Sequence, residues 1–443
     1  MGKLFGTDGV RGKINDDLTV QLAMKIGVAA GYVLGKNKKV KVIIGRDSRY
    51  SGQMLTMAVA SGLLSCGAEV IDVGIVPTPA VSYLTRELKC DIGIMISASH
   101  NPSVYNGIKI FNNEGYKLAD EVEEQIENYI LNEDVILGDN IGKYTLDLSL
   151  KDKYISYLEN ECKISKDLKI VVDCANGSAS ETAPILFKKI SKNVSFINWE
   201  YDGYNINENA GSTHLDGLIS AVKKNKADIG VAYDGDADRC MLVSSSGKII
   251  DGDFILAICA KYYKNQGKLK NNTVVGTVMS NLGLKKFCET NDIGFEATKV
   301  GDRYVLESLM ENDYLIGGEQ SGHIIFRHLA NTGDGELTSI QILNIMSDTG
   351  KSLDELARVM TNYPQVLVNV SVTKDGKEKY KDDNEIMDLV ASISDELADN
   401  GRVLIRPSGT ERIVRVMIEG LDISDITDKA NLIANKIKEK FGE

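Results

Sequence analysis

An apolar β-rich run, an amphipathic helix, a second run, and a third run ending in a polar loop recur three times, in that order, along the first three quarters of the chain. The opening runs are KVKVIIGRDSR (39 to 49), LKIVVDCANG (168 to 177) and NTVVGTVMSN (272 to 281), each passing from a strand into a loop that starts a helix. The second runs are AEVIDVG (68 to 74), VSFINW (194 to 199) and GFEATKVGD (294 to 302). The third runs are CDIGIMISASHNP (90 to 102), ADIGVAYDGDADR (227 to 239) and DYLIGGEQSGH (313 to 323), and two of them share Asp-Ile-Gly. Apolar runs alternating with helical patterns specify α/β units, in which chemistry sits on loops at the carboxyl ends of the strands. Three copies would turn three such loops toward one cleft. The remainder differs: strands at VLVNVSV (366 to 372), RVLIRPSGT (402 to 410) and IVRVMIEG (413 to 420), with helices near 383 to 398 and 424 to 440, read as a smaller α+β domain.

A chain of 443 residues is too long for one hydrophobic core and calls for three or four domains. Polar stretches near 140 to 153 and 373 to 382 mark boundaries, with a vaguer one near 256 to 262. The division expected is 1–150, 151–256, 257–367 and 368–443. A net charge of −12 disfavours nucleic acid, whose binding needs a broad basic face, but leaves room for a small anion held by a few local cations. Seven scattered cysteines without metal-ligand spacing read as reduced and mostly buried. No run is long and apolar enough for a membrane span, and the start MGKLFGTDGVRGK lacks a secretory h-region, so the expectation is a cytoplasmic protein with no membrane contact.

Each polar loop carries a candidate function and a plain alternative. Ser97-Ala98-Ser99-His100-Asn101-Pro102 ends a strand with small residues and a proline stop, a setting that would expose a serine nucleophile; alone it reads as an ordinary turn. A serine carries phosphate only among cations, because phosphoserine brings about two negative charges at neutral pH. Asp234, Asp236 and Asp238 alternate directly after a strand, so their mutual repulsion calls for a hard divalent cation, with Arg239 able to contact an anionic oxygen. An EF-hand is excluded, since Arg239 stands at its glycine position and Ser245 at its glutamate position, which leaves a metal site or a solvated acidic turn. Magnesium suits the first, because it takes a few carboxylates plus a phosphate oxygen. Glu319 and Ser321 of GGEQSGH can bond sugar hydroxyls, and His323 can exchange a proton or stabilise phosphate; otherwise the stretch is a glycine-rich turn. Arg406, Ser408, Gly409 and Thr410, with Arg415 nearby, offer a guanidinium, hydroxyls and backbone N–H groups fit for a dianion, or an exposed turn. Arg11 in FGTDGVRG reads alone as a loop arginine, Arg46 and Arg49 as helix-start punctuation, and Lys109 in NGIKIF as an exposed strand lysine.

Together FGTDGVRG, SASHNP followed by NGIKIF, DGDADR, GEQSGH and RPSGTE resemble the α-D-phosphohexomutase superfamily along essentially the whole chain, in that family's order. The resemblance implies three similar α/β domains with mixed sheets, plus a smaller C-terminal α+β domain, around a central cleft. The domains would carry in turn the phosphoserine loop, the metal loop, the sugar loop and the phosphate-binding loop. It implies that Ser99 is phosphorylated and passes the phosphoryl group between two hydroxyls of a hexose, which makes the chain an isomerase acting by intramolecular phosphotransfer. Asp234, Asp236 and Asp238 with the Ser99 phosphate would hold one Mg²⁺. Glu319, Ser321, Arg239 and His100 would bind substrate, and Arg406, Ser408, Gly409, Thr410 and Arg415 would clasp the non-reacting phosphate. Lys109, His323 and Arg11 match positions tied to proton transfer and charge stabilisation. FGTDGVRG, KVGDRYV (299 to 305) and GGEQSGH most resemble members acting on glucosamine phosphates. That implies exchange between glucosamine 6-phosphate and glucosamine 1-phosphate through glucosamine 1,6-bisphosphate, supplying amino-sugar nucleotides for cell-wall precursors, in a homodimer. A mannose or glucose phosphate mutase, or a non-catalytic sugar-phosphate sensor, are the alternatives. Two departures stand out. Ala237 replaces a common glycine, which is tolerated if the backbone there avoids positive φ, and Arg412 replaces a common proline.

Overall fold

The computed structural model describes residues 4–6, 8–35, 39–132, 140–164, 167–408 and 412–443. Its contacts divide the chain into two units: Met1–Met279 with Asn291–Val359, and Ser280–Thr290 with Met360–Glu443.

The first unit holds three sheets built on one plan. In the first repeat the strand Lys41–Arg46 lies between Glu69–Ile75 and Ile92–Ile96, parallel to both, and Tyr105–Phe111 returns antiparallel beside Ile92–Ile96. In the second, Ile170–Asp173 lies between Val194–Ile197 and Ile229–Tyr233, with Cys240–Ser244 antiparallel beyond. In the third, Thr273–Thr277 lies between Gly294–Thr298 and Ile316–Gly318, with Ile324–Phe326 antiparallel beyond. Each sheet therefore runs second, first, third, fourth, and the chain leaves the first strand toward opposite sides. That reversal is where open α/β sheets place their ligands, outside the strands' carboxyl ends. The expected mixed sheets are present. The fourth strands of repeats two and three, CMLVS and IIF, are too short to stand out from their neighbours by periodicity.

Central strands such as Ile92–Ile96, Ile170–Asp173 and Ile229–Tyr233 are buried at every position, which explains why they read as continuous apolar runs rather than alternating ones. The third strand of each repeat carries a glycine under its crossover helix. A Cβ would lie 2.2 Å from Thr85 Oγ1 at Gly93, 2.6 Å from Val222 Cγ2 at Gly230 and 2.9 Å from Val305 Cγ1 at Gly317. The shared Asp-Ile-Gly thus records close helix-on-sheet contact. The first sheet is widened by Phe5–Gly6 and Gly9–Lys13 at one edge and Lys143–Leu146 at the other. The helix Gly252–Asn265 runs unbroken through 256 and 257, so a boundary between the second and third domains fits better before Gly252.

The second unit is a three-stranded antiparallel sheet, with Ile413–Glu419 between Gln365–Ser371 and Arg402–Pro407, packed on the helices Asn384–Leu397 and Ile423–Phe441. The helix Leu282–Thr290 joins it through the fully buried Glu419, which accepts from Leu282 N–H at 3.0 Å and Arg402 Nε at 2.6 Å. Among the described residues no helix is long and apolar enough to cross a membrane, and all seven cysteines are free, with Cys90, Cys174, Cys240, Cys259 and Cys288 buried.

Replacing Gly317 with alanine drives a methyl against the Val275 carbonyl and Cβ, each 2.9 Å away. Gly317→Ala is expected to cost about 1–3 kcal/mol, seen as a lower midpoint of the first urea transition of the intact chain.

Candidate active site

The loop after Ile92–Ile96 is a tight turn in which Asn101 N–H donates to the Ala98 carbonyl at 3.1 Å and Ser99 takes a φ of 53°. A side chain rarely accepts that left-handed conformation without support from its surroundings. The Ser99 hydroxyl, expected at an exposed tip, is buried, because the turn of the second repeat packs over it. Its Oγ donates to Asp234 Oδ2 at 2.6 Å, and His100 Nδ1 lies 3.4 Å from the same oxygen. Burial, with Arg239 and Arg11 nearby, pushes the His100 imidazole down to about 4, so it is neutral at pH 7.

Asp234, Asp236 and Asp238 are all buried, and each offers an oxygen within 4.8 Å of the others'. Burial first, then the charges of Asp238 and Asp236, raises the Asp234 carboxyl to about 8. Burial also works against the Asp238 carboxylate, but Lys109 and His323 outweigh it and hold the group well below its usual range. Lys109 is not an exposed strand lysine. It is buried on Tyr105–Phe111, with Nζ 2.8 Å from Asp236, 3.0 Å from Asp8 and 3.4 Å from Asp238. Burial alone would discharge it, yet these carboxylates raise its pKa well above that of a free lysine. Thr78 gives its N–H to the Asp236 main-chain carbonyl, at 2.9 Å, and its hydroxyl to Asp236 Oδ2. Even so, Asp236 Oδ1 and Asp238 Oδ1 are buried without a hydrogen-bond partner among the described residues. Spare, converging carboxylate oxygens are what a hard divalent cation takes up, so the donor set fits a metal site.

His323 approaches from the third repeat. Its Nδ1 lies 3.7 Å from Asp238 and its Nε2 3.5 Å from Asp302, while Gly333 N–H donates to Nε2 at 3.1 Å. Burial lowers its affinity for a proton, but Asp238 and Asp302 reverse that and raise it. Lys117 bridges Asp302, at 2.5 Å, and Asp8, which also pairs with Arg11 on Gly9–Lys13.

Ser99, Lys109, His323, Arg11, His100, Arg239 and the three aspartates thus gather in the first unit. Arg239 donates its N–H to Asp234 Oδ1 at 3.2 Å. Glu319 accepts from Gly301 N–H at 3.2 Å and is half-buried, while Ser321 is exposed. Arg406, Ser408 and Arg415 belong to the second unit, and Gly409 and Thr410 lie outside the described residues. Arg406 and Arg415 stand directly opposite on paired strands, and Arg406 Nε is buried without a partner among the described residues. Facing like charges are unfavourable unless an anion sits between them. Sequence reading did not single out Asp8, Thr78, Lys117 or Asp302. Asp8 and Asp302 stand in the quoted strings FGTDGVRG and KVGDRYV, but nothing local marks a carboxylate that meets a lysine more than a hundred residues away.

Comparison with known proteins covers the whole chain. Family models described as phosphoglucomutase/phosphomannomutase match in order: alpha/beta/alpha domain I over 2–136, domain II over 152–247, domain III over 251–363 and the C-terminal domain over 367–436. The phosphoglucosamine mutase of Alkaliphilus oremlandii is 52% identical over 99% of this chain and 100% of its own length. That of Caldanaerobacter subterraneus subsp. tengcongensis is 51% identical over 100% of both. A solved phosphoglucomutase/phosphomannomutase family protein from Burkholderia thailandensis superposes with a TM-score of 0.83 at 26% identity, over 98% of this chain and 97% of that one.

One local expectation is overturned. Ala237 has a φ of 54°, so it does not avoid the left-handed region, and its N–H donates to the Asp234 carbonyl at 3.0 Å. A methyl endures this and a branched side chain does not. Ala237→Val is expected to destabilise by at least about 2 kcal/mol, and Ala237→Gly to stay within about 1 kcal/mol of the parent, since lost strain offsets lost burial and added chain entropy. Urea unfolding of the three proteins reads both.

Proposed function

The chain belongs to the phosphoglucomutase/phosphomannomutase family of α-D-phosphohexomutases, and on that premise we propose that it interconverts glucosamine 6-phosphate and glucosamine 1-phosphate through a phosphorylated Ser99. The sugar follows from relatives of about half-identical sequence that are phosphoglucosamine mutases. The observation that carries the residue roles is the Ser99 hydroxyl, 2.6 Å from a carboxylate of a buried three-aspartate cluster with spare oxygens.

In this reading the bond from Ser99 Oγ to phosphorus breaks as a bond from phosphorus to a free sugar hydroxyl forms, giving glucosamine 1,6-bisphosphate. After the intermediate turns, the opposite phosphate returns to Ser99 and the product leaves. Such a transfer asks a protein chiefly for alignment and charge neutralisation. A magnesium ion on Asp234, Asp236, Asp238 and the serine phosphate supplies part of that neutralisation when bound. Lys109 supplies more, as a buried ammonium set among Asp236, Asp8 and Asp238. His323, between Asp238 and Asp302, is the group suited to exchange the hydroxyl proton. Arg11 adds positive charge, Arg239 and His100 meet the transferring phosphate, and Glu319 with Ser321 reads the sugar hydroxyls. Arg406, Ser408, Gly409, Thr410 and Arg415 are assigned to the phosphate that does not react. The facing pair Arg406 and Arg415 supports that assignment.

The reading includes a cytoplasmic setting, supported by seven free cysteines, and a role in supplying amino-sugar nucleotides for cell-wall precursors. It also includes a homodimer and, on net charge, no nucleic-acid partner.

Intact-mass spectrometry is expected to find one phosphate on Ser99 that is lost on mixing with glucosamine 6-phosphate. Ser99→Ala is expected to abolish turnover while costing about 1–3 kcal/mol of stability, because Asp234 loses its buried donor, and normal turnover in that variant would refute the phosphoserine route. Removing divalent ions with a chelator is expected to stop turnover, with magnesium restoring it. A protein indifferent to chelation would refute the metal assignment.

A further inference from the structure

We propose that Arg49 is a positioning residue for phosphoryl transfer, holding, together with Asn207, the Ser99 turn in the conformation that aims its hydroxyl at Asp234. The inference rests on the phosphoserine reading above.

Arg49 is almost wholly buried, and all five N–H groups of its guanidinium are used. Nε donates to Asp47 Oδ2 at 2.9 Å. Nη1 donates to the carbonyls of Pro102 at 2.6 Å and Tyr105 at 3.0 Å, and Nη2 to those of Ser99 and Asn101, each at 2.8 Å. Four of the five bonds therefore end on backbone oxygens of the turn and its exit. From the second repeat, Asn207 Nδ2 donates to the same Ser99 carbonyl at 2.9 Å and to that of Asn101 at 3.2 Å. The other side of Ser99 is tied to the same centre. Its N–H donates to Ser97 Oγ at 2.9 Å, and Ser97 Oγ donates to Asp47 Oδ2 at 2.7 Å, the oxygen Arg49 holds.

The purpose of so many donors follows from the backbone. Ser99 sits at a φ of 53°, which a side chain leaves when nothing restrains it. Rotation back to the ordinary region would carry Oγ away from Asp234. Alignment is most of what phosphoryl transfer needs, and a displacement of roughly 1 Å can cost about a hundredfold in rate. A lysine cannot substitute, because three donors on a flexible stem cannot span four carbonyls and a carboxylate. Arg49 contacts no reacting atom in this account and acts through the turn alone.

The test measures the rate at which phosphorylated Ser99 gives up its phosphate to glucosamine 6-phosphate in a single turnover, per mole of phosphoenzyme counted by intact mass. A merely structural residue would lower the yield of phosphoenzyme and leave that rate unchanged. Arg49→Lys is expected to lower it by about tenfold or more, with KM within about twofold of the parent. A parental rate per phosphoenzyme would overturn the proposal. If Arg49→Lys shows no cooperative melting, Asn207→Gly decides, since glycine keeps the φ of 61° at that position while removing the amide. A drop of about threefold or more supports the proposal, by the same dependence on alignment, and a parental rate overturns it. A parental protein that carries no transferable phosphate on Ser99 instead sinks the phosphoserine reading, and the inference with it.

Discussion

Three carboxylates cannot be buried within one turn unless positive charge is buried beside them, and that condition organises the first unit. Asp236 and Asp238 draw Lys109 from the first repeat, and Asp238 draws His323 from the third. Asp8 and Asp302 neutralise what those cations leave over, joined through Lys117. Desolvating a charge costs several kcal/mol when it is unpaired, so the three repeats are held to one another by the same groups that make the site. The balance is left incomplete where chemistry is proposed. Asp234 is raised to about 8, and two neighbouring carboxylate oxygens have no donor among the described residues. A cation would relieve both conditions.

The sheet plan supplies the second constraint. A parallel third strand followed at once by an antiparallel fourth demands a tight turn at the carboxyl end. Each of the three turns contains a residue at positive φ: Ser99 at 53°, Ala237 at 54° and Gly322 at 93°. Glycine occupies only the third, so the strain falls on the turns assigned to phosphoryl transfer and to the metal. Strain of this kind persists where surrounding bonds over-determine the backbone, and around Ser99 those bonds come from Arg49, Asn207 and Ser97. Arg49, which in sequence only punctuates a helix start, has its importance from where its guanidinium ends.

Much of the fold was legible because strands buried on both faces write themselves as unbroken apolar runs, and the first and third strands of each repeat are of that kind or nearly so. The short fourth strands were not, since three to five residues carry too little period to register. The polar loops were legible for a related reason: Ser99, the aspartates and His323 each stand within a few residues of a strand end. Their partners were not. The pairing of Lys117 with Asp302, or of Arg49 with the Ser99 turn, spans 185 and 50 residues and leaves no local trace. The burial of Lys109 was equally hidden, because its alternation with Ile108 and Ile110 is the pattern of a half-exposed strand and its charge is answered only by residues from other segments.

By itself the sequence determined the recurring order of the first three strands and their helices, the three polar loops at strand ends and the family whose motifs they form, because each of these is written in contiguous residues. Tertiary structure alone decided which charges meet, that Ser99 and Lys109 are buried rather than exposed, and that Ala237 is bent into the left-handed region. The reason is that a pKa, a buried ion pair or a strained turn depends on what is desolvated beside what, and that is fixed only when distant segments pack together.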